Sequence, residues 1–449
     1  MRLALLRAGL QPPRIETACE LGFGQGVSLA LHAATGRTRW FGNDINPEHV
    51  AHARKLLEAA GVSAEICTDS FAEFAARKDL PTFDYIVMHG VWSWVSDANR
   101  AILAEFAGRQ LNPGGVLYLS YNALPGQATM EPLRHLANEY ARRAGGGAPI
   151  AHRIDRAIAF AEHLIGGSPT LRTDQPQLAK SLDALKGQDT RYLAHEYFNR
   201  DWRSMHFSEV ASHFAAAGLA YARTAGYGAA IDDLRIAPAQ QKLLDNVEDP
   251  ILRETVRHFL LNRAYRSDYW VKLPALPAPG DAMRAERFIL VADAPEVPFA
   301  IRAALTLHGH GPADATVKAV LGLLSDRQPR SVGDIADRLG KTTTLGDIVE
   351  AIDLLVGTSL VATVQPVPEA APVEPAARLN AYLLRALDEG GEIPVLASPV
   401  LGGGLPLSLS ERRLLRAVQQ GHPPEDGSAA EADAFAHAKL PLLRTLGIA

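Results

Sequence analysis

Two cysteines, Cys19 and Cys67, stand among 449 residues. So few exclude a disulfide framework and a cysteine-rich zinc site. A large excess of either charge is also lacking: 45 Lys and Arg face 50 Asp and Glu, for a net charge of -5. This excludes a broadly basic nucleic-acid binder, though not a local basic patch. No apolar run approaches the ~18 residues needed to span a bilayer. The opening MRLALLRAGL does not read as a secretory signal, because Arg7 breaks its apolar stretch and no small-residue cleavage site follows. A soluble, reducing, cytoplasmic setting is the expectation. What is plentiful is apolar: 47% hydrophobic against 21% charged residues, enough for large cores and too little charge for general disorder. At roughly 150 residues per domain, the length implies about three domains.

The first third alternates strand and helix. Arg14–Glu20 runs into a glycine-rich turn and then a helix from Val27 to Ala34. Arg39–Asn43 reads as a strand ending in Asp44, and Pro47 suits the first turn of a helix reaching Ala60. Ser63–Cys67 is strand-like, Phe71–Arg77 a short helix, and Phe83–Met88 an apolar run typical of a strand buried on both faces. Asn99–Leu111 is helical, Asn112–Gly115 a turn, and Val116–Tyr121 the next strand. Five β units in β-α order imply a doubly wound parallel sheet.

From Met130 to about Leu193 the pattern is helical and interrupted by Gly and Pro. Phe207, Val210, Ala211 and Phe214 then form a one-faced helix. It leads into strand-like Leu219–Thr224, a helix from Pro250, and strand-like Tyr269–Leu273. The economical reading completes the sheet with these late segments and lays the intervening helices over it as an insertion. The proline-rich Leu273–Gly280 ends this unit. Beyond it, Phe288–Ala292 and Phe299–Leu307 are strand-like, and three helices and the strand Ser359–Val364 suggest a winged-helix-like part over residues 314–365. A linker at Gln365–Pro375 precedes helices at Asn380–Asp388 and Ser410–Gln419, which flank a Gly-rich hairpin. The expected division is 1–126 (cofactor-binding core), 127–273 (helical cover over about 130–200, then sheet-completing segments) and 281–449 (accessory, mostly helical).

The strongest chemical signal is Glu20-Leu-Gly22-Phe-Gly24-Gln-Gly26, between the first strand and the first helix. Its glycines permit a tight turn and close approach to a ligand. A nicotinamide fingerprint, G-x-G-x-x-G, places its third glycine one residue later, where this chain has Val27. An acid two residues before the first glycine repels a pyrophosphate and attracts a cation. S-adenosylmethionine (SAM) carries an ammonium and a sulfonium and no phosphate, so the motif favours SAM over NAD. The plain alternative is a structural turn. Asp44, 22 residues after Gly22, is placed to accept both ribose hydroxyls or to cap a helix. Asp69 and Ser70 end the third strand and either approach an adenine amino group or cap the helix at Phe71.

Ligands of open α/β sheets sit outside the carboxyl ends of the strands. The fourth strand ends in His89-Gly90-Val91-Trp92-Ser93-Trp94 and the fifth in Ser120-Tyr121-Asn122. Between these tips a methyl group would be presented. Trp92 and Trp94 read as walls of an apolar channel or as core, Tyr121 and Asn122 as groups orienting an acceptor amine, and His89 as a proton acceptor. Methyl transfer is an in-line displacement that needs alignment and desolvation more than a strong base. Three other features do not point to a metal or to DNA. His195-Glu196 lacks the second histidine of a zinc-protease motif, and His308-Gly-His310 lacks a third ligand. The helix around Leu345–Leu355 carries Asp347, Glu350 and Asp353 on one face, expected to be exposed and to repel phosphate. No metal is expected.

The strings ELGFGQG, FGNDINPEHVAHAR, DSFAEF, FDYIVMHGVWSWVS and LNPGGVLYLSYNALPG resemble the class I SAM-dependent methyltransferases. With KGQDTRYLAHEYFNRDWRSMHFSEVASHF and DPILRETVRHFLLNRAYRSDYWVK, the chain resembles the bacterial branch carrying a methyltransferase regulatory domain, which includes rickettsial protein-lysine methyltransferases. The resemblance covers about residues 14–273 closely. It implies a Rossmann-like core with SAM as cofactor, bound by Glu20, Gly22, Gly24, Gly26, Asp44, Asp69 and Ser70. It also implies a transfer site lined by His89, Trp92, Tyr121 and Asn122, with His89 touching both. Gln127 stands where that branch commonly has tryptophan, which implies a different acceptor pocket. Only about 13 residues precede the first strand, where relatives have a longer SAM-capping segment. Either the chain start lies elsewhere or the cap comes from other elements such as the inserted helices. The acceptor expected is a protein lysine, with a small molecule or glycan as the nearest alternative and a SAM-binding scaffold without turnover as the alternative of another class. An NAD-dependent oxidoreductase is disfavoured by the glycine spacing. Nucleic acid and membrane are not expected partners; a homodimer or a protein contact through the C-terminal part is.

Overall fold

The computed structural model describes residues 1–449 except 145, 227, 229–230, 232–234, 293–295, 300, 303–304, 306–311, 367–372, 392 and 422–428. The His308/His310 pair lies outside the described residues. Helix α1 (Arg2–Arg7) precedes strand β1 (Thr17–Leu21), α2 (Val27–Thr35), β2 (Arg39–Asn43), α3 (Pro47–Ala60), β3 (Glu65–Cys67), α4 (Phe71–Ala76), β4 (Phe83–Met88), α5 (Asp97–Gln110) and β5 (Leu111–Asn122). Five helices follow: α6 (Glu131–Arg143), α7 (Ile150–Gly167), α8 (Pro169–Asp174), α9 (Pro176–Lys186) and α10 (Thr190–Glu196). Helix α11 (Phe207–Ala216), β6 (Leu219–Thr224), the helices Pro238–Asp245 and Pro250–Leu261, and β7 (Tyr265–Lys272) close the unit.

The seven strands form one sheet in the order β3-β2-β1-β4-β5-β7-β6. Neighbours among β1 to β5 are parallel, and β7 runs antiparallel between β5 and β6. The order reverses between β1 and β4, which is where such sheets open a ligand crevice. The late strands therefore complete the sheet, and α6 to α10 are inserted between its fifth and sixth strands. This is a Rossmann-like sheet extended by two late antiparallel strands.

Register fixes what each face carries. Glu20 pairs with Val87, Val87 with Tyr118, and Tyr118 with Tyr269, so these four side chains stand on one face. On that face Leu29, Ala33, Val50, Ala53 and Leu57 of α2 and α3 pack with Ala18, Trp40 and Val87. The opposite face buries Leu21, Ile86, Leu117, Leu119 and Tyr121 under α5 and α11, with Phe106, Phe207 and Phe214 as the large fillers. The inserted helices have their own small core around Leu133, Ile154, Ile165 and Leu182.

Beyond β7, the strands Arg287–Leu290, Arg330–Ser331 and Val361–Val364 form an antiparallel sheet, with the helices Asp314–Leu324, Val332–Leu339 and Leu345–Gly357 packed into one core with it. Three expectations change here. In the strand-like stretch Phe299–Leu307, the described residues Phe299, Ile301, Arg302 and Leu305 are helical. The helix expected from Asn380 already begins at Val373. The acidic face of Leu345–Gly357 is only partly exposed. Asp347 closes a capping box with Thr344, and Asp353 is buried and paired with Arg7 of α1 at 2.9 Å. That helix is thus tied to α1 through Asp353. Helix α1 is the wedge of the molecule. Leu3 enters the C-terminal core, while Ala4 and Leu5 pack on Val116, Tyr269 and Val271 of the large sheet.

The last quarter contains the hairpin Val395–Ser398/Gly403–Pro406 and helices at Val373–Arg385, Leu409–Gln420 and Leu440–Thr445. Leu379, Leu383, Leu415 and Leu443 from these elements share one continuous core with α2 and α3.

Candidate active site

The glycine turn is built as its spacing requires. Gly22, Gly24 and Gly26 all have positive φ, at +65°, +59° and +71°. Each has a different neighbour. A Cβ on Gly22 would lie 2.8 Å from Val91, and one on Gly26 would lie 2.4 Å from the Ala53 side chain, so Gly26 sets how closely α2 approaches α3. A Cβ on Gly24 would meet nothing within 4 Å, so this residue faces open space beside the turn. Gly42 was not singled out from sequence, yet a Cβ there would lie 2.6 Å from the Glu20 carbonyl oxygen. It keeps β1 and β2 close at the base of the turn.

Two carboxylates flank the turn. Glu20 is 3% exposed, and its Oε2 has no hydrogen-bond partner among the described residues. Burial raises its carboxyl to about 8, against a smaller opposing pull from the Ser28 hydroxyl. Asp44 is also buried, but its oxygens are engaged. Oδ2 accepts from Gly24 N at 2.8 Å, and Oδ1 accepts from Asn46 N at 2.9 Å and lies 3.0 Å from His49 Nδ1. Asp44 therefore locks the glycine turn to the N-terminus of α3, and its Oδ2 retains a lone pair for a further donor. The helix cap here is Asn46, which accepts from Glu48 N.

At the third strand tip the roles are divided. Ser70, not Asp69, caps α4: its hydroxyl accepts from Glu73 N, and Glu73 accepts from Ser70 N and Oγ. Asp69 pairs instead with Arg77 at 3.4 Å, and its carbonyl accepts from the Asn43 amide at 2.9 Å. The Ser70 hydroxyl is committed to its cap.

The acceptor end differs from the sequence expectation in two residues. Tyr121 is fully buried on the far face, where its hydroxyl donates to Asp268 at 3.1 Å. Asp268 is held by Arg266 through bonds of 2.8 and 2.9 Å, and Arg266 also reaches Glu254 at 2.9 Å. Burial drives the Tyr121 hydroxyl well above its ordinary value. It braces β5 against β7 and does not face the tip. Trp92 likewise has no exposed surface and packs on Phe214, at 4.9 Å between ring centroids, and on His213. A ring enclosed on all sides is core, not the wall of an open channel.

The residue that strand alternation brings to the tip is Tyr118, three positions from Tyr121 and therefore on the other face. Its hydroxyl lies 3.2 Å from His89 Nδ1, and the two rings stack. Burial pushes the Tyr118 hydroxyl up to about 12, and partial burial lowers the His89 imidazole below 6.5. Ser120 follows on the same face and accepts from Gly90 N at 2.8 Å. Asn122 comes next, paired in register with Tyr265, and its amide lies 3.4 Å from a Glu196 oxygen at the end of α10. Asn122 N donates to the Ser93 hydroxyl, fixing the β4 and β5 tips to one another. So His89 is joined by Tyr118, and Asn122 by Tyr265 and Glu196, none of these three foreseen. The signal for Tyr118 was the two-residue period of β5. Glu196 and Tyr265 had no local signal.

Gly126, in the Leu-Pro-Gly that follows β5, is required by contact: a Cβ there would lie 2.2 Å from the Arg263 carbonyl carbon. Among the described residues no three His, Cys, Asp or Glu side chains converge as a metal site, and no helix is long and apolar enough to cross a membrane.

Known proteins match this arrangement in two places and over the whole chain. Residues 18–115 match a methyltransferase domain family, and residues 189–272 match a family described as predicted methyltransferase regulatory domain. The uncharacterized protein sll1526 of Synechocystis is 33% identical over 433 residues, covering 94% of this chain and 84% of its own. The structure of PKMT2 from Rickettsia typhi is similar at 17% identity with a TM-score of 0.69, covering 100% of this chain and 98% of that one. The same protein in complex with AdoHcy gives a TM-score of 0.66 at 18% identity, covering 97% of this chain and 90% of that one. The fold is shared along its length.

Proposed function

Because this chain belongs to the SAM-dependent methyltransferases that carry a methyltransferase regulatory domain, we propose that it methylates lysine side chains of a protein acceptor. The observation that carries the acceptor assignment is the row of oxygens on the Glu20 face of the sheet. Tyr118, Ser120, Asn122 and Tyr265 stand there in register, with the Glu196 carboxylate beside Asn122. An amine offers only hydrogen-bond donors while it is charged, and a mouth rich in oxygen acceptors suits it. The resemblance to rickettsial protein-lysine methyltransferases supports the same reading.

The residues at the glycine turn suit SAM. The buried Glu20 oxygen without a partner is matched to the ammonium of the cofactor. Gly24 leaves the turn open to its backbone, and Asp44 Oδ2 has a lone pair for a ribose hydroxyl. Asp69, held by Arg77, lies where the adenine amino group is expected. When bound, SAM supplies an electrophilic methyl group on its sulfonium. The protein's part is alignment, exclusion of water and management of one proton. A lysine amine must be neutral to attack, and desolvation among the tyrosines lowers its pKa toward that state. The Glu196 carboxylate attracts the charged form on arrival. His89, held neutral at pH 7, is the group placed to take the proton, with its Nδ1 oriented by the Tyr118 hydroxyl.

The deciding experiment is transfer of labelled methyl from SAM into cell extract by the full chain, followed by mass identification of the product. Methyl-lysine in a protein band is the expected result. Label confined to small soluble products would instead favour the small-molecule or glycan alternative. Tight SAM binding with no label transferred to any fraction would favour the scaffold.

A further inference from the structure

The inserted helices enclose a cavity of about 500 Å³ between α6, the start of α7 and the segment Phe198–Arg203. Five arginines line it, Arg134, Arg142, Arg153, Arg200 and Arg203, against two glutamates, Glu131 and Glu139. Both acids are already engaged, Glu139 by Arg142 and Arg143 and Glu131 by the Ser204 hydroxyl. At the rim, Arg203 is paired with Glu209 and Asp97, and Arg200 lies 3.5 Å from Asp201.

The interior is different. The Arg134 guanidinium lies 4.4 Å over the ring of Trp202, which is only 7% exposed. The Nε atoms of Arg134 and Arg153 and the Nε1 of Trp202 are buried, and none has a hydrogen-bond partner among the described residues. All three are donors, and no acceptor lining the cavity is left in the same state. Water can satisfy one such donor. The Arg134 and Arg153 guanidinium groups that carry two of these donors line the cavity, and a ligand that is all acceptor and negatively charged matches them better.

The cavity wall also reaches the transfer end. Arg203 N donates to the Ser93 carbonyl at 2.8 Å, and the Asn199 amide lies 3.5 Å from the Trp94 carbonyl. The Ser93 hydroxyl in turn accepts from Asn122 N at 2.8 Å. Ser93 thus joins the cavity wall to the Asn122 end of β5.

We propose that this cavity binds carboxylate side chains of an acidic segment in the acceptor protein, next to the lysine to be methylated. It thereby selects the substrate by charge. This rests on the protein-lysine reading above and adds to it the class of sequence recognised.

The test measures binding and transfer with the full-length protein and two fluorescent peptides, one with lysine flanked by glutamates and one with glutamines in their place. The acidic peptide is expected to bind at least about tenfold more tightly, the worth of one charge-assisted bond. Its advantage shrinks as salt rises. Arg153→Gln removes most of that advantage while SAM affinity and melting temperature are kept. Arg134→Gln, which also touches the Asn199 carbonyl, serves as the second variant. Equal affinity for the two peptides, or an Arg153→Gln protein that still discriminates, overturns the proposal. So does a single-stranded RNA that displaces the acidic peptide at equal concentration. The two readings fail separately. An acidic peptide that binds through Arg153 but is never methylated overturns the lysine assignment and leaves the carboxylate site standing.

Discussion

The two ends of the active cleft are made in different ways. The cofactor end comes mainly from one stretch, Glu20 to Asp44, with Asp69 as its only distant member. Its parts are locked by backbone: Asp44 holds Gly24, and three positive-φ glycines fix the turn. The proposed acceptor end is assembled from segments separated by up to about 180 residues, with His89, Tyr118, Ser120, Asn122, Glu196 and Tyr265 at one face. A site of the first kind can be copied intact from protein to protein, because its geometry travels with a short sequence. A site of the second kind can change with any one of its segments, which suits the part that chooses the acceptor.

The sharpest break in this comparison is expected at Asp44. Asp44→Ala removes a charge-assisted hydrogen bond to the ribose together with the lock on Gly24, and should weaken SAM binding about a hundredfold by calorimetry. Circular dichroism should show the fold retained; unchanged affinity would remove Asp44 from the cofactor site. Glu20→Gln should cost about tenfold in SAM affinity. It also carries a pH signature. The wild-type carboxyl titrates near 8 in the fold against about 4.5 when unfolded. The fold therefore holds a proton that the unfolded chain releases, and stability falls as pH rises between those values. The Gln variant should gain melting temperature over wild type across that window and level off above it. A constant difference at all pH values would contradict the raised carboxyl of the buried Glu20.

At the acceptor end, Tyr118→Phe and Tyr121→Phe form a matched pair on opposite faces of β5. Tyr118→Phe should lower turnover about tenfold with SAM affinity kept, through loss of the His89 contact. Tyr121→Phe should lose about 1–2 kcal/mol of stability through Asp268 and leave turnover within about twofold. The reverse outcome would place the wrong tyrosine at the tip. The smallest effect expected is the acid limb of turnover. With the His89 imidazole lowered below 6.5 by burial, activity should fall only as pH drops through that lowered value. His89→Gln should flatten the limb.

These contrasts explain what was readable in the sequence. The sheet, its late completion by Leu219–Thr224 and β7, and the glycine turn all follow from local patterns of apolar residues and glycines. Strand direction is local, but facing is a matter of phase. Tyr121 and Tyr118 look equally placed in LYLSYN until register assigns them to opposite faces. Trp92 lies one turn beyond the strand tip, and only the packing of α11 shows that Phe214 claims it. Glu196 and Tyr265 carry no motif, since a charged helix end and an exposed tyrosine are ordinary surface features. Asp353 misled for the same reason: an acid on a helix reads as exposed unless its distant partner, Arg7, is known.

The C-terminal quarter bears on how the protein can be handled. Leu379, Leu383, Leu415 and Leu443 lie in one core with Leu29, Ala33 and Leu57 behind the glycine turn. A truncation ending near residue 273, just after the last strand of the large sheet, would bare that apolar surface to water and invite aggregation. Loss of activity in such a fragment would report a collapsed support behind α2, not a missing catalytic group.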